Sequence, residues 1–255
     1  MRLQDKVTLI TGASSGIGAA CARAFAAEGA HVILAARRGE RTQAAAKQLS
    51  AEFNIEALPV PLDVRDQAQV TQVLGNLPVR WAAIDILLNN AGLSRGLNKL
   101  HEGLISDWDE MIDTNIKGLL YVIRAVVPGM VARGRGHVIN IGSIAGHEIY
   151  PNGNVYCATK SAVDTLTKGL RLDLVGTGLR VTSVDPGMVE TEFSLVRFHG
   201  DAERAAKVYQ GFQPLTAEDI AETVLWCATR PPHVQIHDIL LTATAQASAT
   251  LTHRV

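Results

Sequence analysis

Short apolar runs alternate along the chain with longer segments whose apolar residues recur at helical spacing. Lys6–Thr11, His31–Ala36 and Ile84–Asn89 read as strands, and the near-continuous apolar character of the last suits burial on both faces. Ile55–Leu62 reads as a further strand, interrupted by Pro59 and Pro61. Between them, Gly16–Glu28 carries Ile17, Ala20, Cys21, Ala24 and Phe25 at helical spacing and is closed by Gly29. Helices are also expected at Glu40–Glu52, Asp66–Leu77, Ser106–Arg133 (with a join near Asn115–Gly118), Asn154–Val175 and Ala217–Arg230. Strands at His137–Ile141, Arg180–Val184 and Ile236–Leu241 complete about seven. Repeated strand–helix units predict an α/β fold: a doubly wound, Rossmann-type parallel sheet with helices on both faces. No repeat or linker divides residues 1–255, so one domain is expected. Met188–Pro214 exceeds an ordinary connection and follows a strand end, where open α/β sheets place ligands, so about 188–214 is expected to be a lid.

Composition narrows the classes of function. Hydrophobic residues make up 47% and charged residues 19%, enough for a packed core. With 24 Lys and Arg against 25 Asp and Glu, net charge is −1, which argues against nucleic acid or an anionic membrane as partner. Cys21, Cys157 and Cys227 are an odd number without a CxxC, so neither a disulfide framework nor a structural metal site is expected. The apolar run after Asp5 and Lys6 is too short for a signal-peptide core, and Gly118–Ala132 is interrupted by Arg124 and Pro128. A cytoplasmic protein is expected.

Candidate chemistry starts at Thr11-Gly12-Ala13-Ser14-Ser15-Gly16-Ile17-Gly18, between the first strand and the first helix. Glycines there let backbone N–H groups approach a pyrophosphate at a helix N-terminus. The spacing is G-x3-G-x-G rather than the better-known G-x-G-x-x-G. After the second strand, an acid would accept from the ribose 2′-OH of NAD, but Arg37 and Arg38 stand there instead. Two guanidiniums suit a 2′-phosphate, and cations at a helix N-terminus otherwise oppose its dipole. The cofactor expected is NADP(H). Asn89-Asn90-Ala91-Gly92, after the fourth strand, suits a ribose contact or a brace for the neighbouring turn. Tyr156 and Lys160 lie four apart and share a helix face, with Ser143 just past the fifth strand. An ammonium beside a phenol favours the phenolate and makes it a usable base at neutral pH. Taken singly, Ser143 also reads as a turn cap and the Tyr156–Lys160 pair as an amphipathic surface.

Together, the glycine motif, Asn89-Asn90-Ala91-Gly92, Asn115, Ser143, Tyr156-Cys-Ala-Thr-Lys160 and Pro186-Gly187 resemble the short-chain dehydrogenase/reductase family in order and spacing. The resemblance implies hydride transfer between a nicotinamide and an alcohol or carbonyl. It implies Tyr156 as acid/base, Ser143 as oxygen positioner and Lys160 as a ribose contact that lowers the Tyr156 pKa. It further implies Asn115 as holder of a relay water, Asp63 and Val64 beside the adenine, and Pro186, Gly187, Val189 and Thr191 around the nicotinamide. A homotetramer follows from the same resemblance, with the helices at Ser106–Arg133 and Asn154–Val175 pairing across a two-fold axis.

A narrower likeness is carried by Leu77-Pro78, Trp81, Ile84–Leu87, Met111–Asn115, Gly153–Tyr156 and Thr191–Phe198. These resemble the NADP-dependent 3-hydroxy acid dehydrogenases, which implies a small 3-hydroxy acid or its semialdehyde as substrate. The alternatives are a broad carbonyl reductase, or a reductase of a bulkier aldehyde or ketone. A third possibility is a sensor of NADPH without catalysis, against which the complete Asn115, Ser143, Tyr156 and Lys160 set weighs. A carboxylate substrate needs a cation near Tyr156. Arg95 and Arg197 are the candidates, and Arg197, in the long segment, is chosen over a solvent-facing or subunit-contact role.

Overall fold

The computed structural model describes residues 1–255. Its seven strands are β1 (Val7–Thr11), β2 (His31–Ala36), β3 (Ala57–Pro61), β4 (Ile86–Asn89), β5 (Gly136–Ile141), β6 (Leu179–Pro186) and β7 (Asp238–Leu241). All pair in parallel, in the order β3-β2-β1-β4-β5-β6-β7. The order reverses between β1 and β4, and the crevice at their carboxyl ends is where a ligand is expected.

The period of two along each strand explains both layers. Ile10, Val32, Leu34, Leu88, Ile139 and Val184 point to one face and pack with Phe25 of α1 (Gly16–Ala27) and Ile220 and Val224 of α10 (Ala217–Ala228). Leu9, Ile33, Leu87, Val138 and Val181 point to the other, against Val70 of α3 (Gln67–Gly75) and Val122, Val126 and Met130 of α6 (Leu119–Arg133). Strands covered on both sides have no solvent-facing side, hence the nearly continuous apolar runs of β2 and β4.

Boundaries shift where local chemistry intervenes. Pro59 and Pro61 are tolerated because β3 is a sheet edge, where a missing N–H breaks no central ladder. The helix expected to reach Leu77 stops at Gly75, since Pro78 disfavours helical backbone before it, and the short α4 (Val79–Ala82) follows. β4 starts at Ile86 because Asp85 is spent at the sheet's base, accepting from the Val7 N–H at 3.2 Å and pairing with Lys6 at 3.6 Å. The join in the long helical run is a π turn, Asp113–Gly118, between α5 (Ile105–Ile112) and α6. α2 spans Gly39–Phe53 and α7 spans Asn154–Asp173.

The segment after β6 contains two short helices, α8 (Phe193–Arg197) and α9 (Ala202–Lys207). Its ends are tied together: Leu215 N–H donates to Met188 C=O at 3.0 Å and Glu190 N–H to Leu215 C=O at 2.9 Å.

Candidate active site

A cavity of about 610 Å³ opens along the carboxyl ends of the strands, from Arg37 and Asp63 to Ser143, Tyr156 and Lys160. Its floor at one end is the glycine loop. Gly12 has φ +68° and Gly16 φ +52°, a backbone glycine adopts without strain. A Cβ on Gly18 would stand 2.5 Å from the Gly12 carbonyl oxygen, so α1 meets the loop only without a side chain there. Asn90 braces the turn, donating from Nδ2 to the Thr11 carbonyl at 3.0 Å and the Gly12 carbonyl at 3.3 Å. Ser15, the N-cap of α1, makes no side-chain capping bond, and the first turn holds no acid. Its N–H groups are thus suited to an anion, and the loop fits a pyrophosphate.

The two arginines after β2 are used differently. Arg38 is committed: Nε donates to Ser14 Oγ at 3.0 Å, Nη2 to Ser15 Oγ at 2.6 Å and Nη1 to Glu192 at 2.7 Å. Arg37 is half-exposed with only a 3.8 Å contact to Glu110, which leaves its donors for an incoming phosphate. Asp63 is held by Arg65 at 2.6 Å, which keeps its carboxyl below the usual range despite partial burial. A dinucleotide carrying a 2′-phosphate fits this donor set.

At the far end the tip of β5 and the helix α7 deliver the remaining groups. Ser143 sits at the tip of β5, where its Oγ accepts from the Ala145 N–H at 3.1 Å, so it caps a turn as well as facing the cavity. Lys160 is buried on α7 and donates from Nζ to the Ile141 carbonyl at 2.9 Å. Burial pushes its ammonium down to about 8, with the Asp185 carboxylate opposing. Tyr156 is 8% exposed. Burial raises its phenol, while the Arg197 guanidinium and the Ser143 hydroxyl act the other way. Arg197 is thus a second cation, beside the expected Lys160, that bears on Tyr156.

Ile17, Val64, Ala91, Gly92, Pro186, Gly187, Val189 and Thr191 also line the cavity. Three expected residues do not. Gly18 lies behind the loop, and Asn115 is buried in the π turn. Asn115 Oδ1 accepts from the Leu93 N–H at 2.9 Å, and Nδ2 donates to the Leu93 carbonyl at 2.8 Å and Thr159 Oγ1 at 3.0 Å. Arg197 lies against the Tyr156 ring, 5.3 Å from its centroid, and donates from Nη2 to Tyr150 Oη at 2.8 Å. Its Nε is buried with no partner. Arg95, the other candidate cation, is spent on Glu110 at 2.7 Å and the Val196 carbonyl at 2.6 Å.

Sequence reasoning missed Glu192, Tyr150 and Asp185. Asp185 is buried, bonded to Ser183 Oγ at 2.6 Å and His147 Nε2 at 2.9 Å, and burial raises its carboxyl. The apolar patch around Tyr156, formed by Leu93, Met111, Phe193 and Val196, was also unforeseen. An acid immediately before Pro186-Gly187 was the one available signal.

Comparison with known proteins agrees with this geometry. The profile of the short chain dehydrogenase family matches residues 6–200. A Salmonella typhi protein named NADP-dependent 3-hydroxy acid dehydrogenase is 49% identical over 250 residues, covering 97% of this chain and 99% of its own. A Schizosaccharomyces pombe protein of the same description is 45% identical over 254 residues, covering 99% and 98%. The structure described as the closed form of serine dehydrogenase complexed with NADP+ superposes with TM-score 0.91 at 47% identity, over 98% of this chain and 100% of the other. Serine dehydrogenase from Escherichia coli gives 0.81 at 42%, over 94% and 99%.

Proposed function

The chain belongs to the short chain dehydrogenase family, and from that premise we propose an NADP-dependent oxidoreductase acting on small 3-hydroxy acids or their semialdehydes. One observation carries the reading: Ser143, Tyr156 and Lys160 share a cavity with a glycine loop and an uncommitted Arg37. The names of the relatives and of the NADP+-bound neighbour support both coenzyme and substrate class.

When bound, the nicotinamide supplies the hydride acceptor or donor. Arg37 would hold the 2′-phosphate, Arg38 assisting by its charge since its donors are engaged, and Gly12 to Ile17 would hold the pyrophosphate. Asp63 and Val64 flank the adenine, Asn90, Ala91 and Gly92 a ribose, and Pro186, Gly187, Val189 and Thr191 the nicotinamide. In the oxidative direction Tyr156 Oη takes the proton of the substrate hydroxyl while Ser143 Oγ bonds the same oxygen. Lys160 holds the nicotinamide ribose. Asn115 serves the proton relay; its side-chain amide is engaged, so the relay water falls to its main-chain carbonyl, displaced from ordinary register by the π turn.

Residues 188–214 act as the substrate lid of this one domain. Phe193 and Val196 cover Tyr156 with apolar surface, excluding water, and Arg197, against the Tyr156 ring, is the cation that receives the substrate carboxylate once the lid shifts to bring it to the cavity. Turnover of short semialdehyde acids against aromatic ketones with NADPH tests the assignment. Preference for the ketones would overturn it.

We also propose a cytoplasmic homotetramer. All three cysteines are free and buried. By length and composition the helical run Ile105–Arg133 could cross a membrane, with mean hydropathy 1.3 over a window only 33% buried. The subunit contact accounts for that uncovered surface better, because α7, at the other side of the expected interface, is also richer in apolar residues than its sheet contact needs: Val155, Leu166 and Leu170 are only half-buried. Light scattering at micromolar protein tests it, and a particle of 27.3 kDa would contradict it.

A further inference from the structure

Glu192 is an acid on the wall of a cavity suited to a polyanion, which is electrostatically unfavourable unless the carboxylate has its own task. It stands at the base of the lid, as N-cap of α8. It accepts from Arg38 Nη1 at 2.7 Å and from Arg41 Nη1 at 2.8 Å. These two bonds hold its carboxyl down to about 2, so it is ionised throughout the physiological range. Arg38 passes the connection on to Ser14 and Ser15 of the glycine loop. Beside it, Thr191 lies so close to the loop that a Cβ on Gly16 would stand 3.2 Å from Thr191 Cγ2. One carboxylate therefore ties the lid base to both the glycine loop and α2, across the cavity's width.

We propose that Glu192 is a positioning residue whose paired bridge to Arg38 and Arg41 clasps the lid base over NADP(H) and limits the rate at which the coenzyme leaves. The proposal rests on the coenzyme assignment above. Arg41 sharpens it: the residue does not line the cavity, and its hydrogen-bonded link to the site runs through Glu192. Both bridges are about half-exposed, so each contributes modestly, and the effect on release is roughly three- to tenfold.

The test is the dissociation rate of NADPH, followed by its fluorescence in stopped flow, for wild type, Glu192→Gln, Arg41→Ala and the double variant. Expected are faster release in each single variant, association rates within about twofold of wild type, and a double variant no faster than the faster single one, as a shared interaction requires. Glu192→Asp should restore part of the slow release, which a loss of packing would not predict. Unchanged release in either single variant, or fully multiplicative effects, would overturn the clasp. Slower release from Glu192→Gln would overturn it too, by making the carboxylate a competitor of the 2′-phosphate. Where Arg41→Ala folds poorly, Arg41→Gln carries the same comparison. Equal affinity of wild type for NADH and NADPH would instead remove the coenzyme assignment, and the same rates with NADH would then decide the clasp.

Discussion

The strand tips and the segment from Val189 to Leu215 form walls of one cavity, and they are held by different forces. Ser143, Tyr156, Lys160 and Asn115 are all buried, and much of what anchors them is main chain: the Ile141 carbonyl for Lys160, both polar groups of the Leu93 backbone for Asn115. Sheet register places those main-chain groups. The other wall, beyond the main-chain ties of its ends and of Arg197 to Gly96, is held by more side-chain pairs: Glu192 with Arg38 and Arg41, Arg197 with Tyr150, Ser194 with Tyr209 at 2.8 Å. A wall held by backbone keeps its geometry when a surface residue changes, whereas one that relies more on side-chain pairs can be retuned by substitution. The proposed proton transfer falls to the first, and the proposed substrate choice and coenzyme retention to the second.

The sharpest way to break this division is to strike the rigid wall. Tyr156→Phe keeps the ring, its 5.6 Å edge contact with Phe193 and NADPH binding, but removes the proton carrier. Turnover should fall by about 10²–10⁴-fold or more, measured beside NADPH affinity. Substantial residual activity would show that another group moves the proton. At the coenzyme end, Arg37→Ala should weaken NADP+ binding by about ten- to hundredfold while NAD+ binding barely moves, by titration calorimetry.

Striking the lid wall should be selective. Arg197→Ala is expected to lower kcat/KM for 3-hydroxy acids by about tenfold or more, with little change on an uncharged aldehyde. Equal losses on both substrates would reduce Arg197 to a shaping role. The same variant tests the electrostatics. Burial raises the Tyr156 phenol and Arg197 opposes that, so removing the cation moves the alkaline-going limb of the oxidation profile to higher pH. Lys160→Met should raise the kinetic pKa as well and weaken coenzyme binding, and a limb that shifts only in Lys160→Met would transfer the electrostatic role to that residue. A smaller effect is expected from Asn115→Ala, which leaves the main-chain carbonyl in place but loosens Leu93 and Thr159: kcat should fall less than in Tyr156→Phe, and a loss as large would contradict the main-chain carbonyl as the holder of the relay water.

The same contrast explains what was legible in the sequence. Short apolar runs alternating with helical periodicity, nearly unbroken in β2 and β4, made the α/β order and the crevice readable, as was the pairing of Tyr156 with Lys160 on one helix face. The bond from Arg38 to Glu192 joins residues 154 positions apart, and Arg197 meets Tyr150 over 47. No local pattern encodes such pairings, because they depend on how α8 folds back. Adjacent Arg37 and Arg38 look equivalent in the chain, yet the Ser14 and Ser15 hydroxyls engage only Arg38. The edge placement of β3, which excuses its two prolines, is likewise a property of the assembled sheet.

The most direct test of hydride transfer between NADP(H) and a 3-hydroxy acid is the initial rate of NADPH formation by wild type with short 3-hydroxy acids, NADP+ and NAD+ being compared side by side. The account predicts turnover of at least one such acid, with kcat/KM for NADP+ well above that for NAD+. Failure of every 3-hydroxy acid to reduce NADP+, or a preference for NAD+, would contradict it.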